Sequence, residues 1–167
     1  MIFYVYCALK VLLSGILKKI TPTIILEILT HPTILLPMSN NYDPVLASGK
    51  KILCIEDNPL EQMLLTRVLK IIGLDACMAS TALEGLNMAA AIDPGLILLD
   101  MHLPEMDGSE VLQRLRKQTH LNKVPVVMVT ANVWGNEKQE LLDAGASEVL
   151  TKPILPEVLR QTLHRLM

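Results

Sequence analysis

Residues 96–108, LILLDMHLPEMDG, decide how the rest of the chain reads. Leu96 to Leu99 form an aliphatic run without polar alternation, the pattern of a short strand buried on both faces of a parallel sheet. The run stops on a carboxylate, Asp100, and a helix is expected from Ser109 to about Thr119, burying Val111, Leu112 and Leu115 and turning Arg114, Arg116 and Lys117 outward. Four more runs of the same kind flank it: KILCI (51–55), DACMA (75–79), VVMVT (126–130) and EVLT (148–151). Amphipathic stretches separate them. Asn58-Pro59 reads as an N-cap with proline at the first helical position, Met63, Leu64, Val68 and Ile71 follow at helical spacing, and Gly73 stands where that helix should end. The second helix opens after Ser80-Thr81 and stops at Asp93-Pro94-Gly95, the fourth ends at Ala144-Gly145, and the last shows Leu155, Leu159, Thr162 and Leu166 on one face. Five strands alternating with five helices specify an α/β fold with an open, doubly wound, five-stranded parallel sheet.

The chain has 167 residues, enough for one ordinary domain and an extension. Four of its five aromatics (Phe3, Tyr4, Tyr6 and Tyr42) precede residue 48 and only Trp134 follows, so a boundary is expected near Ser48-Gly49, with residues 1–48 as an extension and 49–167 as the domain. Residues 1–37 are apolar, but Lys10, Lys18, Lys19, Glu27 and three prolines interrupt them before a membrane-spanning length accumulates. No basic residue precedes the apolar stretch, which argues against a signal peptide. Two readings of it stand: a hydrophobic anchor, or a segment outside the working protein, with translation from Met38. A net charge of -2 offers no electrostatic footprint for nucleic acid or an anionic membrane. Cys7, Cys54 and Cys77 have neither disulfide nor zinc spacing, which suits a reducing, cytoplasmic setting. Met63, Met78, Met88 and Met128 read as core fillers.

In an open parallel sheet ligands bind where the strands end. The first run ends in Glu56-Asp57, the third in Asp100, the fourth in Thr130 and the fifth in Lys152-Pro153. Three carboxylates converging in one crevice repel one another unless a cation joins them, and carboxylate oxygens suit Mg²⁺. A carboxylate beside a divalent metal, a hydroxyl and an ammonium is the equipment for phosphoryl transfer onto aspartate.

This constellation, with Asp100-Met101-His102-Leu103-Pro104-Glu105-Met106-Asp107-Gly108, resembles the receiver domains of two-component response regulators over residues 50–166. The resemblance implies the flavodoxin-like strand order 2-1-3-4-5 and a signalling switch, not an enzyme beyond self-phosphorylation and autodephosphorylation. It makes Asp100 the phosphoacceptor. Mg²⁺ or Mn²⁺ would be held by Glu56, Asp57, Asp100 and the backbone carbonyl of His102. Thr130, the Ala131 amide and Lys152 would bind the phosphoryl oxygens, Pro153 matches a cis-linked proline, and His102 and Asn132 would tune the lifetime of the phosphorylated state. The implied partners are a histidine kinase or histidine phosphotransfer protein and a downstream protein, with no direct nucleic-acid contact. Since Met167 follows the fifth helix, the output is expected to pass through another protein by way of the fourth helix, fifth strand and fifth helix. One position departs from the family: Val149 stands where receivers commonly carry a switching aromatic, and a stiff valine cannot swing in that way. The readout would then shift to the backbone around Trp134 to Gln139. Two alternatives accompany the main reading, a degenerate receiver serving only as an interaction surface and an aspartate-nucleophile phosphohydrolase. The latter usually wants a second acid where His102 stands.

Overall fold

The computed structural model describes residues 51–133 and 135–167. The expectations for residues 1–48, the start at Met38 and Trp134 lie outside the described residues. Strands β1 (Ile52–Ile55), β2 (Ala76–Ala79), β3 (Leu96–Asp100), β4 (Val126–Thr130) and β5 (Glu148–Thr151) alternate with helices α1 (Pro59–Ile72), α2 (Ala82–Ile92), α3 (Gly108–Lys117), α4 (Glu137–Asp143) and α5 (Pro156–Leu166). The strands pair in parallel in the order β2-β1-β3-β4-β5, the expected flavodoxin-like order. Successive strand residues face opposite sides, so the aliphatic runs feed two cores. Leu53, Ile55, Ile97, Leu99 and Met128 pack on the side that also buries Leu86, Val111, Leu112 and Leu141 from α2, α3 and α4. Ile52, Cys54, Leu96, Leu98 and Val127 pack with Leu65 and Leu69 of α1 and Leu159 and Leu163 of α5. Burial of the central strands on both faces explains why their sequences show no alternation.

The helix ends follow local chemistry. Asn58 Oδ1 accepts the Leu60 and Glu61 amides at 2.9 and 3.4 Å, a cap worth about 1 kcal/mol. Gly73, at φ 88°, closes α1 in the left-handed conformation that suits glycine. Thr81 caps α2 through the Glu84 amide at 3.1 Å, and Glu84 accepts the Ser80 amide in return at 2.7 Å.

Three expectations are corrected. Met63, Leu64 and Ile71 face solvent, and α1 instead buries Leu65 and Leu69 with Val68 and Ile72 beside them. This helix carries two overlapping apolar stripes, and the one with Leu65 and Leu69 packs against β1 and α5. Met63 is therefore no core filler, whereas Met128 is buried and Met78 and Met88 pack at the core's edge. Arg116 does not point outward: its guanidinium donates to the carbonyls of Gly145, Leu121 and Val124 at 2.9, 3.3 and 3.0 Å, tying α3 to the loops before β4 and β5. Leu155 is exposed at the cap position of α5, and Leu163 takes the inner face in its place. Val149 is buried in the core with Met128. Among the described residues, no helix is long and apolar enough to cross a membrane.

Candidate functional site

The polar residues that end β1, β3, β4 and β5 meet at the carboxyl edge of the sheet. Ladder hydrogen bonds continue one residue past the strands and fix the backbone there: Glu56 N–H to Ala79 O at 3.0 Å, Met101 N–H to Val129 O at 2.8 Å, and Lys152 N–H to Thr130 O at 2.8 Å. Carboxylate oxygens of Glu56, Asp57 and Asp100 all lie within 4.8 Å of one another. Glu56 is 1% and Asp100 6% exposed, so this negative charge is concentrated out of bulk water.

Lys152 reaches into the cluster. Its ammonium donates to Glu56 Oε2 at 2.8 Å, pairs with Asp100 Oδ1 at 2.9 Å, and contacts Glu61 Oε2 of α1. Burial alone would lower its pKa, but the bonds to Asp100, Glu56 and Glu61 outweigh burial and hold it above the ordinary lysine value. At Glu56 the balance is reversed. Burial pushes its carboxyl up to about 7, helped by the neighbouring Asp100 and opposed by the Lys152 hydrogen bond. The second Glu56 oxygen accepts the Asn58 amide at 3.1 Å, and its backbone carbonyl accepts Gln62 Nε2 at 2.6 Å. Gln62 also donates to Ser80 Oγ at 3.0 Å, which links the β1 loop to the end of β2. Three carboxylates face the ammonium and Asp57 lies beside two of them, an all-oxygen donor set with surplus negative charge, and that composition fits a small hard cation.

Thr130 is buried, and its hydroxyl donates to the Asn132 carbonyl at 2.8 Å while the Asn132 amide lies 3.4 Å from it. It is thus turned toward its own loop. Ala131, Asn132 and His102 are exposed around the opening. The Lys152–Pro153 bond is cis, as the resemblance implied. After Asp100 the chain doubles back, Gly108 N–H donating to Met101 O at 2.9 Å. A Cβ on Gly108 would come within 2.4 Å of the Asp100 carbonyl and 2.9 Å of Met101 Cα, so only glycine lets α3 start this close to Asp100.

The expected set Glu56, Asp57, Asp100, Thr130 and Lys152 is therefore gathered at one edge. Glu61 and Gln62 were not among the expected residues. Their signal was position: each lies within the first turn or so after a capped helix start, at the same edge as the acidic pair.

Comparison with known proteins extends this geometry. The response regulator receiver domain family matches residues 52–164. Over 112 residues the chain is 38% identical to the sensor histidine kinase RcsC of Salmonella typhimurium, covering 67% of this chain and 12% of RcsC. It is 38% identical over 103 residues to the DNA-binding dual master transcriptional regulator RpaA of Synechocystis, covering 62% of this chain and 43% of RpaA. The chain thus spans less than half the length of either relative. Among solved structures it resembles the chemotaxis protein CheY4 of Vibrio cholerae (TM-score 0.65, 30% identity, 71% of this chain and 98% of that one). It also resembles the receiver domain of the Pseudomonas aeruginosa sensor kinase PA1611, a structure with magnesium coordinated in its active-site cleft (TM-score 0.65, 28% identity, 71% and 98% coverage). The fold, the strand-end constellation and these matches together make this chain a member of the response regulator receiver domain family.

Proposed function

We propose that the chain is a phosphorylation-controlled switch in which Asp100 takes a phosphoryl group from a histidine kinase or histidine phosphotransfer protein. The observation that carries this reading is the position of the Asp100 carboxylate, 2.9 Å from the Lys152 ammonium and clustered with Glu56 and Asp57 at the end of β3. An Asp100 oxygen forms a bond to phosphorus as the donor's phosphorus–nitrogen bond breaks, and the released imidazole keeps the bonding pair. Hydrolysis reverses the state: water attacks phosphorus, Asp100 regains its carboxylate, and inorganic phosphate leaves. Asp57, Asp100, the His102 carbonyl and, through water, Glu56 would hold Mg²⁺ or Mn²⁺, which when bound neutralises charge on the phosphoryl oxygens.

Lys152 supplies a positive charge to the same oxygens. Thr130 and the Ala131 amide would complete the clamp, which requires the Thr130 hydroxyl to exchange its bond to Asn132 for one to phosphoryl oxygen. Exposed His102 and Asn132 border the approach of water and would set the lifetime of the state. Because buried Val149 replaces the aromatic, the change would travel through the Thr130 loop into α4, β5 and α5 and from there to a downstream protein. Met63 and Leu64 on α1, and Leu155 and Val158 on α5, which packs beside it, are exposed apolar side chains that would give the phosphodonor protein an apolar rim to dock on. We assign the working domain to residues 49–167 and the exchange to the cytoplasm. The completeness of the acidic pair, acceptor, threonine and lysine favours a working switch over a degenerate receiver.

The test incubates the full chain with Mg²⁺ and acetyl phosphate and weighs the intact protein. A gain of one phosphoryl group, absent in Asp100→Asn, is expected. No gain in the parent would favour an interaction surface alone, and rapid turnover of varied phosphoesters would favour a hydrolase.

A further inference from the structure

We propose that Glu61 is a positioning residue for Lys152, holding the ammonium at the rim of the site before phosphorylation and competing with the phosphoryl group for it. The inference rests on the assignment of Asp100 as acceptor. A lysine ammonium has three N–H donors, and in this structure three carboxylates surround it, those of Asp100, Glu56 and Glu61. No donor is left over for a phosphoryl oxygen, so the clamp can close only when one partner lets go.

The three partners are not equally able to do so. Glu56 belongs to the acidic group with Asp57 and Asp100, its side chain is 2% exposed, and its other oxygen is held by the Asn58 amide. Asp100 carries the incoming group. Glu61 has neither duty. Its side chain is 32% exposed, so it can turn to water when Lys152 departs, and it sits in the first turn of α1, where the helix dipole favours a carboxylate without any lysine. Glu61 is therefore the partner that Lys152 exchanges for phosphoryl, and it opposes loading by occupying the ammonium.

Glu61→Gln keeps the side chain's shape and removes the charge. In the full chain, intact-mass kinetics with acetyl phosphate and Mg²⁺ should show faster loading by roughly two- to fivefold, the scale of a partly exposed ion pair. Calorimetric titration with beryllofluoride, a phosphoryl mimic, should show tighter binding by a similar factor. Both gains should shrink as salt is raised and vanish in a Lys152→Ala background, because a residue acting through Lys152 has nothing to act on once it is gone. A merely structural Glu61 would give the same change in both backgrounds, which would overturn the proposal. So would parent-like loading and beryllofluoride affinity in Glu61→Gln. If the parent itself gains no phosphoryl mass, the assignment of Asp100 falls and this inference falls with it. Where the parent loads normally, only the role of Glu61 is at stake.

Discussion

The two ends of β5 carry opposite arrangements of charge. Glu148 opens the strand and is one carboxylate among donors: it accepts the Val149 amide and Lys138 Nζ at 3.0 Å each, and Arg165 at 2.6 Å. Lys152 follows the strand's other end and is one ammonium among carboxylates. The same residue type responds oppositely in the two places. At Glu148 burial pushes upward, but the Val149 amide and the two cations outweigh it and hold the carboxyl down at about 2. At Glu56 burial prevails and the carboxyl rises to about 7. An oversupplied anion is a fastener between α4, β5 and α5. An oversupply of anions around one cation is an unfinished site, and such local imbalance is where function concentrates.

The contrast can be broken from either end. The largest effect is expected from completing the acidic site: Mg²⁺ at about 100 times its dissociation constant should stabilise the fold by about 2.7 kcal/mol. Thermal melts should show that gain in the parent and lose it in Asp57→Asn. Lys152→Ala leaves the buried Glu56 and Asp100 carboxyls without their cation, which should cost about 1–3 kcal/mol in urea unfolding. Added Mg²⁺ should restore more of that stability than it adds to the parent. At the other end, Glu148→Gln should cost under about 1 kcal/mol at neutral pH, because Lys138 and Arg165 are largely exposed. The pH dependence there has a definite sign. The folded carboxyl titrates below its ordinary value, so its contribution is complete above pH 4.5 and is lost as pH falls toward about 2. Acid unfolding curves of parent and Glu148→Gln should therefore converge over that window. The smallest effect concerns the rim. Leu64→Lys should change stability by less than about 0.5 kcal/mol, leave loading from acetyl phosphate unchanged, and slow transfer from a phosphodonor protein.

The strands and the site were readable because both depend on where aliphatic runs stop, a property of single segments. The phase of α1 was not. With Leu60, Met63, Leu64, Leu65, Val68, Leu69, Ile71 and Ile72 in one helix, apolar spacing alone supports more than one inner face, and tertiary packing with β1 and α5 decides for Leu65 and Leu69. Arg116 looked solvent-facing because its partners are backbone carbonyls, which leave no mark in sequence, as far as Gly145 along the chain. Glu61 escaped notice for a related reason. Its link to Lys152 spans 91 positions and depends on the helix phase that the spacing left open.

Gly108 bears on how variable this chain can be. Since a single added carbon there meets backbone rather than a yielding side chain, no rotamer change can absorb it. A library of substitutions sorted for phosphorylation should therefore come back nearly empty at position 108. At Gly73, where an added carbon meets nothing within 4 Å and only the left-handed backbone resists, asparagine should survive. Tolerance to mutation around Asp100 is thus limited by an atom that is missing as much as by the acids that are present.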